Sequence, residues 1–275
     1  MPKRMTAPAI AALKGLRKIT MLTATDYPTA KLVDQSGMDM VLVGDSLAMV
    51  ALGREDTLAL TLDEMLHHCR AVCAGVQNAL VVGDMPFMSY EASVEQAVRN
   101  AGRMLQEGGV RAVKVEGAAA LPQIKAMIAA GIPVMGHVGL TPQRVAVLGG
   151  FTVQGKTTAA AQLCLNDARS LAAAGCFSIV LETIPAALAA RITAAVAAPT
   201  IGIGAGPDCD GQVLVFHDLV GLFDRFVPKF VKQYAQLSGP IAVALAAYRE
   251  EVTSGCFPGP EHSFAIDPAE LESIE

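Results

Sequence analysis

Four short apolar runs in this chain each end in an acid. Val41-Leu42-Val43 gives way to Gly44-Asp45-Ser46, and Leu80-Val81-Val82 to Gly83-Asp84. Ala112-Val113-Lys114-Val115 ends at Glu116, and Ile179-Val180-Leu181 at Glu182. Short continuous apolar runs are how strands buried on both faces read, and such strands belong to parallel sheets covered by helices. An acid at the C-terminal tip of each strand then gathers several carboxylates at one end of one sheet. Gathered carboxylates repel one another unless a cation sits among them, and a hard cation with oxygen ligands is the usual solution.

The rest of the chain repeats the strand–helix alternation. Strands are predicted at Ile19–Ala24, Met40–Val43, Leu80–Gly83, Ala112–Val115, Val134–Gly136, Ser178–Leu181, Thr200–Ile203 and Val213–Phe216. Helices are predicted between them: one through Gln35, one opened by the capping-box pair Thr61 and Glu64, Ser93–Gln106, one to Ala130, Ala159–Ala174 and one from Ala186. A last helix is predicted over Phe230–Val252. Residues 1–18 read as a helical cap over one end of the fold rather than a signal or transit peptide, and 253–275 as a tail. Eight apolar runs alternating with helices predict an α/β fold, a (β/α)8 TIM-type barrel in a single domain over 1–275. A doubly wound open sheet explains the pattern less well, because it gathers ligands at one switch point and not after nearly every strand. The glycine-rich stretch from Val138 to Lys156 lacks helical periodicity, and loops of that length inside a compact fold are usually functional.

Composition narrows the class. Hydrophobic residues make up 52% of the 275 and charged ones 17%, so much of the surface must be buried in a core or in subunit contacts. No apolar run approaches a membrane span. A formal charge of −5 without a basic stripe argues against nucleic acid. Six cysteines without a CxxC fit reduced thiols in a cytoplasmic protein. His67, His68, Cys69 and Cys73 lie inside a helical pattern and read as ordinary helix residues, not as a soft-metal cluster.

The acids then suggest a chemistry. Asp45 and Asp84 stand at neighbouring strand tips, where two carboxylates can share one magnesium ion that keeps sites open for substrate oxygens. Glu116, one strand further round, is placed to hold a metal-bound water. One aspartate after a strand is ordinarily a helix cap; acids after four strands favour a site. Lys114 points the same way as Glu116, and a strand lysine is costly unless paired. It is either a structural partner of Asp84 or Glu116, or a cation for a substrate carboxylate or carbonyl. Ser46 offers a hydroxyl and an N–H to an anion, or finishes the turn. A carboxylate ending an apolar strand suits general-base work, which makes Glu182 the candidate base. His137 is second in line, since a lone histidine at a strand end is more often structural. Gly204-Ala205-Gly206 suggests backbone contact with a ligand, without the GxGxxG fingerprint. Residue chemistry leads to a magnesium barrel enzyme that stabilises an enolate, with its substrate unnamed.

Taken jointly, collinear blocks carry a resemblance: Thr-Ala-x-Asp-Tyr at 23–27, VLVGDS at 41–46, GDMPFMSY at 83–90, VKVEG at 113–117, GHVGLTPQ at 136–143, GGFTVQGK at 149–156, IGIGAGPDCDGQVLVFHD at 201–218, PKF at 228–230 and PGPEHSF at 258–264. The chain resembles the ketopantoate hydroxymethyltransferase family. That resemblance implies a (β/α) barrel assembling as a large homo-oligomer, typically a decamer. It implies Mg²⁺ on Asp45 and Asp84 with Glu116 completing the site, and Glu182 as proton acceptor. Asp45, Ser46, Asp84, Lys114 and His137 make up the expected 2-oxo acid site. The implied reaction moves a one-carbon unit from 5,10-methylenetetrahydrofolate to 3-methyl-2-oxobutanoate, giving 2-dehydropantoate for pantothenate and coenzyme A. Thr25 stands where such proteins often carry Tyr, and Ala48 where Gly is common; neither is an expected ligand. Two rivals make distinct demands. A 2-oxo acid lyase or mutase of the phosphoenolpyruvate type needs a cysteine-bearing loop after a strand. A non-catalytic metabolite-binding barrel has no need for both Lys114 and Glu182.

Overall fold

A computed structural model describes residues 4–274. Eight parallel strands close into a barrel in chain order: β1 (Ile19–Thr23), β2 (Met40–Val43), β3 (Leu80–Asp84), β4 (Ala112–Lys114), β5 (Val134–Gly139), β6 (Ser178–Glu182), β7 (Thr200–Ile203) and β8 (Gly211–Leu214), which pairs back onto β1. The fold class expected from the alternation of strands and helices is the one observed.

Strand parity sorts the side chains. Met40 and Leu42, Leu80 and Val82, Ala112, Met135 and Val180 point into the barrel and pack with one another. Val41, Val43, Val81, Val113, Val134, Ile179 and Leu181 point outward and pack under the helices. This is the two-residue period of a strand applied to a closed sheet. Two residues beyond each inward apolar position the same period delivers Asp84 after Val82, Lys114 after Ala112, His137 after Met135 and Glu182 after Val180. A polar layer therefore sits on an apolar one, at the end of the barrel where such enzymes keep their sites.

The helices follow in order. α1 (Ala7–Ala11) is short, capped by Thr6, and buries Ile10 in the barrel floor. The 1–18 cap is thus one short helix and turns, and residues 1–3 lie outside the described part. α2 (Tyr27–Gln35) is capped by Asp26, α3 (Leu47–Val50) springs from the turn after β2, and α4 (Leu62–Gly75) opens with the capping box expected from Thr61 and Glu64. α5 (Val94–Gln106), α6 (Leu121–Ala129), α7 (Val145–Leu148), α8 (Thr158–Ala173) and α9 (Ala186–Ala195) complete the wrapping. α10 (Phe216–Leu219), α11 (Ser238–Ser254) and α12 (Pro268–Glu272) end the chain. None of the residues of α11 is buried, and Ile241, Val243, Leu245, Tyr248 and Val252 all face outward.

Three expectations are corrected. The eighth strand lies two residues earlier than Val213–Phe216. Gly211, lacking a side chain, lets it close against the Ile19 carbonyl of β1, and the Phe216 N–H is taken by the Thr23 hydroxyl at 2.9 Å, which turns the chain into α10. The helix predicted over Phe230–Val252 starts at Ser238 and not at Phe230, and it is followed in the tail by α12. The Tyr234 and Leu237 N–H groups bond the Leu219 and Val220 carbonyls at 2.8 and 2.9 Å, so this segment is tied to the loop after β8 instead of coiling. Finally, the stretch after β5 is not irregular throughout: Pro142–Arg144 forms a tight turn that leads into α7.

Candidate active site

Lys114 is the hub of the polar layer. Its Nζ lies 2.7 Å from each Asp84 oxygen and 3.5 Å from Glu116 Oε1. The three side chains are almost completely buried. Register explains the pairing, since Asp84 and Lys114 are direct partners across β3 and β4. Burial works against the lysine charge, but Asp84, Glu116 and Asp45 overcome it and hold the ammonium firmly protonated. Of the two roles open for Lys114, the ion pair is formed.

Asp45 lies just past the end of β2 and turns inward. Its N–H donates to Asp84 Oδ2 at 3.3 Å, and its Oδ2 accepts from the Gln143 amide at 3.1 Å. Burial, then the neighbouring Asp84 and Glu116 carboxylates, push the Asp45 acid well above its ordinary range. Asp84 is also raised, chiefly by burial, despite Lys114. Glu116 goes the other way. Lys114 and His137 overcome its burial and keep it below the ordinary range.

His137 lies within β5, not after it, and has no exposed surface. Its Nδ1 stands 3.4 Å from Glu116 Oε1 and its Nε2 3.3 Å from Glu182 Oε2. Both separations are at the long edge of hydrogen bonding, and neither ring nitrogen nor Glu116 Oε1 has a well-aligned partner. Burial and Lys114 disfavour the imidazolium, yet the two carboxylates prevail and raise it to about 9. Glu182 faces the cavity from the end of β6. The next residue, Thr183, has φ +50°, a conformation that costs on the order of 1–3 kcal/mol in a non-glycine residue and is held by hydrogen bonds to Ile203 and Gln154. Gly139, with φ +104°, leaves room for the Glu182 carbonyl on the neighbouring strand.

Above these groups opens a cavity of about 590 Å³. Asp45, Ser46, Asp84, Lys114, Glu116 and Glu182 line it, so six of the seven expected site residues come together. The seventh, His137, does not line it and touches Glu116 and Glu182 from beneath. The upper walls are apolar, with Met49, Phe151, Val153, Phe223, Phe226 and Phe230 among the residues that line them.

One residue of the cluster was not anticipated. Gln143, 2% exposed on the turn after β5, donates through its side chain to Asp45 and to the Met85 carbonyl at 2.9 Å. Its Oε1 accepts from the Tyr90 hydroxyl at 2.8 Å, and its backbone N–H donates to Glu116 Oε2 at 3.1 Å. It thus fastens two of the acids and one wall. The only sequence signal was a glutamine after a proline in the glycine-rich stretch, which many surface loops share.

The donor set suits a hard divalent cation. Asp45, Asp84, Glu116 and Glu182 are four carboxylates facing two cationic side chains, Lys114 and His137, which leaves negative charge in excess. Glu116 Oε1 is a buried acceptor without a well-aligned hydrogen bond, though the Lys114 and His137 charges stand 3.5 and 3.4 Å away. Among the described residues, no three His, Cys, Asp or Glu side chains are grouped closely enough to hold an ion alone. A hard divalent cation held through one or two of these carboxylates, with water completing its shell, is compatible with that spacing.

Comparison with known proteins identifies the family. The sequence profile of the ketopantoate hydroxymethyltransferase family matches residues 4–260. The chain belongs to the ketopantoate hydroxymethyltransferase family. A 3-methyl-2-oxobutanoate hydroxymethyltransferase of Syntrophobacter fumaroxidans is 62% identical over 274 residues, covering 99% of this chain and 96% of that one. One from Oleidesulfovibrio alaskensis is 60% identical, covering 99% and 95%. Among solved structures, a phosphonopyruvate hydrolase superposes with a TM-score of 0.62 at 12% identity over 98% of this chain and 94% of its own. A phosphoenolpyruvate phosphomutase from Streptomyces platensis subsp. rosaceus gives 0.61 at 14%, over 97% and 94%. At such identities the likeness shows that this chain shares a barrel fold with these enzymes, and no more.

Proposed function

We propose that the chain transfers a hydroxymethyl group from 5,10-methylenetetrahydrofolate to 3-methyl-2-oxobutanoate, giving 2-dehydropantoate and tetrahydrofolate. The observation that carries the reading is one cavity with a carboxylate base, Glu182, on one side and an over-acidic cluster around Lys114 on the other. Family membership supplies the substrates.

Asp45 and Asp84 would hold Mg²⁺, with Glu116 reaching it through a water. When bound, the ion supplies Lewis acidity toward the keto and carboxylate oxygens of the 2-oxo acid. Glu182 takes the C3 proton onto its carboxylate, and negative charge passes to the keto oxygen as the enolate forms. His137, standing between Glu116 and Glu182, offsets the charge of the base from beneath. Lys114 offsets charge beneath the site, and Ser46 at the β2 tip offers its hydroxyl to the substrate carboxylate. C3 then bonds to the methylene carbon, whose bonds to folate N5 and N10 both break; water supplies the hydroxyl oxygen, and one water proton and the proton held by Glu182 end on the two nitrogens, giving tetrahydrofolate. The apolar walls keep other water from the carbanion.

The cavity also bears on the lyase alternative. All six cysteines are free, and none lines it, so nothing there answers the cysteine that such a lyase needs. Assembly as a homo-oligomer, a decamer by family resemblance, is supported by α11, whose apolar side chains have no cover within one chain. No described helix is long and apolar enough to cross a membrane. A cytoplasmic place fits the free thiols.

Incubating the protein with 3-methyl-2-oxobutanoate, 5,10-methylenetetrahydrofolate and Mg²⁺ should yield 2-dehydropantoate, with loss of product when any one is withheld. A folded protein that makes none would contradict the assignment.

A further inference from the structure

One carboxylate in the cavity has no task in the reaction described so far. Asp218, on α10, is 9% exposed and lines the cavity on the β8 side. Among the described residues no donor or cation pairs with its side chain, and burial alone pushes its acid up to about 6. A largely desolvated carboxylate that faces the cavity and is paired by no side chain is open to whatever N–H or O–H the cavity receives.

The 2-oxo acid does not bring one. It is an anion, repelled by Asp218, and the reading above seats it over the Mg²⁺ that Asp45 and Asp84 would hold. The cavity that Asp218 lines suits a different guest. Phe223 and Phe226 stand edge to face with centroids 5.5 Å apart and line the same cavity, as does Phe230. Aromatic walls recognise the face of a flat ring, and a carboxylate recognises two adjacent N–H groups along one edge. The turn that carries Asp218 is held rigidly. Phe216 N–H is fixed by Thr23, Leu222 N–H bonds the His217 carbonyl at 2.8 Å, and the Leu219 and Val220 carbonyls accept from Tyr234 and Leu237. Lys229 lines the rim of the cavity and is exposed.

We propose that Asp218, with Phe223 and Phe226, is the subsite for the pterin end of the folate, Asp218 accepting from the 2-amino group and N3–H. Lys229 at the rim then meets the glutamate carboxylates of the same molecule. The ring stands between an acid inside and a cation outside, matching a ligand with a donor edge at one end and negative charge at the other. This rests on the transferase reading above and adds to it the residues that hold the second substrate.

The test is calorimetric titration of the full-length protein with tetrahydrofolate and with its 2-desamino analogue, wild type against Asp218→Asn. C3 proton exchange of 3-methyl-2-oxobutanoate, which needs no folate, reports whether the acid cluster is still assembled. The expected result is that Asp218→Asn weakens tetrahydrofolate binding by about tenfold to a hundredfold. Binding of the 2-desamino analogue should change far less, with exchange retained. Equal tetrahydrofolate affinity in the two proteins, or an equal loss for both ligands, would overturn the subsite. Loss of exchange together with binding would assign Asp218 a structural role and overturn it too. Phe226→Ala, at a half-exposed position, is the second variant. It should weaken tetrahydrofolate by about threefold to tenfold, and unchanged binding there would also count against the subsite. Failure of the transferase reading looks different: wild-type protein would then neither exchange the C3 proton nor form product.

Discussion

The two ends of this barrel treat their acids in opposite ways. At the N-terminal end every acid considered is answered. Asp39 accepts from Arg17 at 2.5 and 2.8 Å and from the Thr20 N–H at 2.9 Å. Asp210 binds Lys14 at 2.6 Å and the Thr200 N–H at 2.8 Å. Asp34, on α2, takes the backbone N–H groups of Gln77, Asn78 and Ala79 just before β3. Burial works against the Asp34 and Asp39 charges, but these donors win and both acids lie below their ordinary range. At the C-terminal end Asp45 and Asp84 are raised and one Glu116 oxygen lacks a well-aligned hydrogen bond. The same residue type staples the fold where its donors are complete. Where they are left incomplete it makes a site, because an acid short of partners binds whatever brings them.

The largest effect should fall on the base. Glu182→Gln is expected to lower turnover by about two to four orders of magnitude with an unchanged melting curve, measured by steady-state kinetics beside calorimetry. At the other end the pattern inverts. Asp34→Ala strands three backbone donors and should cost about 2–3 kcal/mol in a urea titration, with kcat kept. If Asp34→Ala instead lowered kcat and left stability alone, the contrast between the ends would fail. Gln143→Ala should weaken Mg²⁺ binding by about tenfold to a hundredfold, as loss of an outer-shell partner does, read by titration calorimetry without substrate.

The smallest effect is in pH. The folded value of Asp45 is raised, so its contribution to stability is full below the unfolded carboxylate range and is lost as pH rises through the folded value. Asp34 and Asp39 are lowered, so theirs is present above the unfolded range and is lost as pH falls through the folded value. A cation that holds Asp45 ionised removes the first penalty only. Mg²⁺ should therefore raise the melting temperature more at about pH 8 than at about pH 5, and an equal gain at both would argue that it binds elsewhere.

The upper end was legible from sequence to an unusual degree. Strand ends show as apolar runs that stop, and a period of two continues Val82 into Asp84, Ala112 into Lys114 and Val180 into Glu182. The lower end was not read at all. Asp34 looks like any polar residue on an amphipathic helix, and its partners lie more than forty positions away. Gln143 and Asp218 were missed for the same reason: each sits on a turn whose direction is set by tertiary contacts, not by periodicity. The shift of β8 also belongs here, because a glycine that admits a neighbouring carbonyl is indistinguishable in sequence from one that ends a loop.

The most direct measurement is proton NMR of 3-methyl-2-oxobutanoate in D₂O with the intact protein and Mg²⁺, without folate, wild type against Glu182→Gln. The expected result is loss of the C3 proton signal with wild type alone, dependent on the metal. Retention of that signal with folded wild-type protein, or equal loss with Glu182→Gln, would contradict the role of this site in forming the enolate.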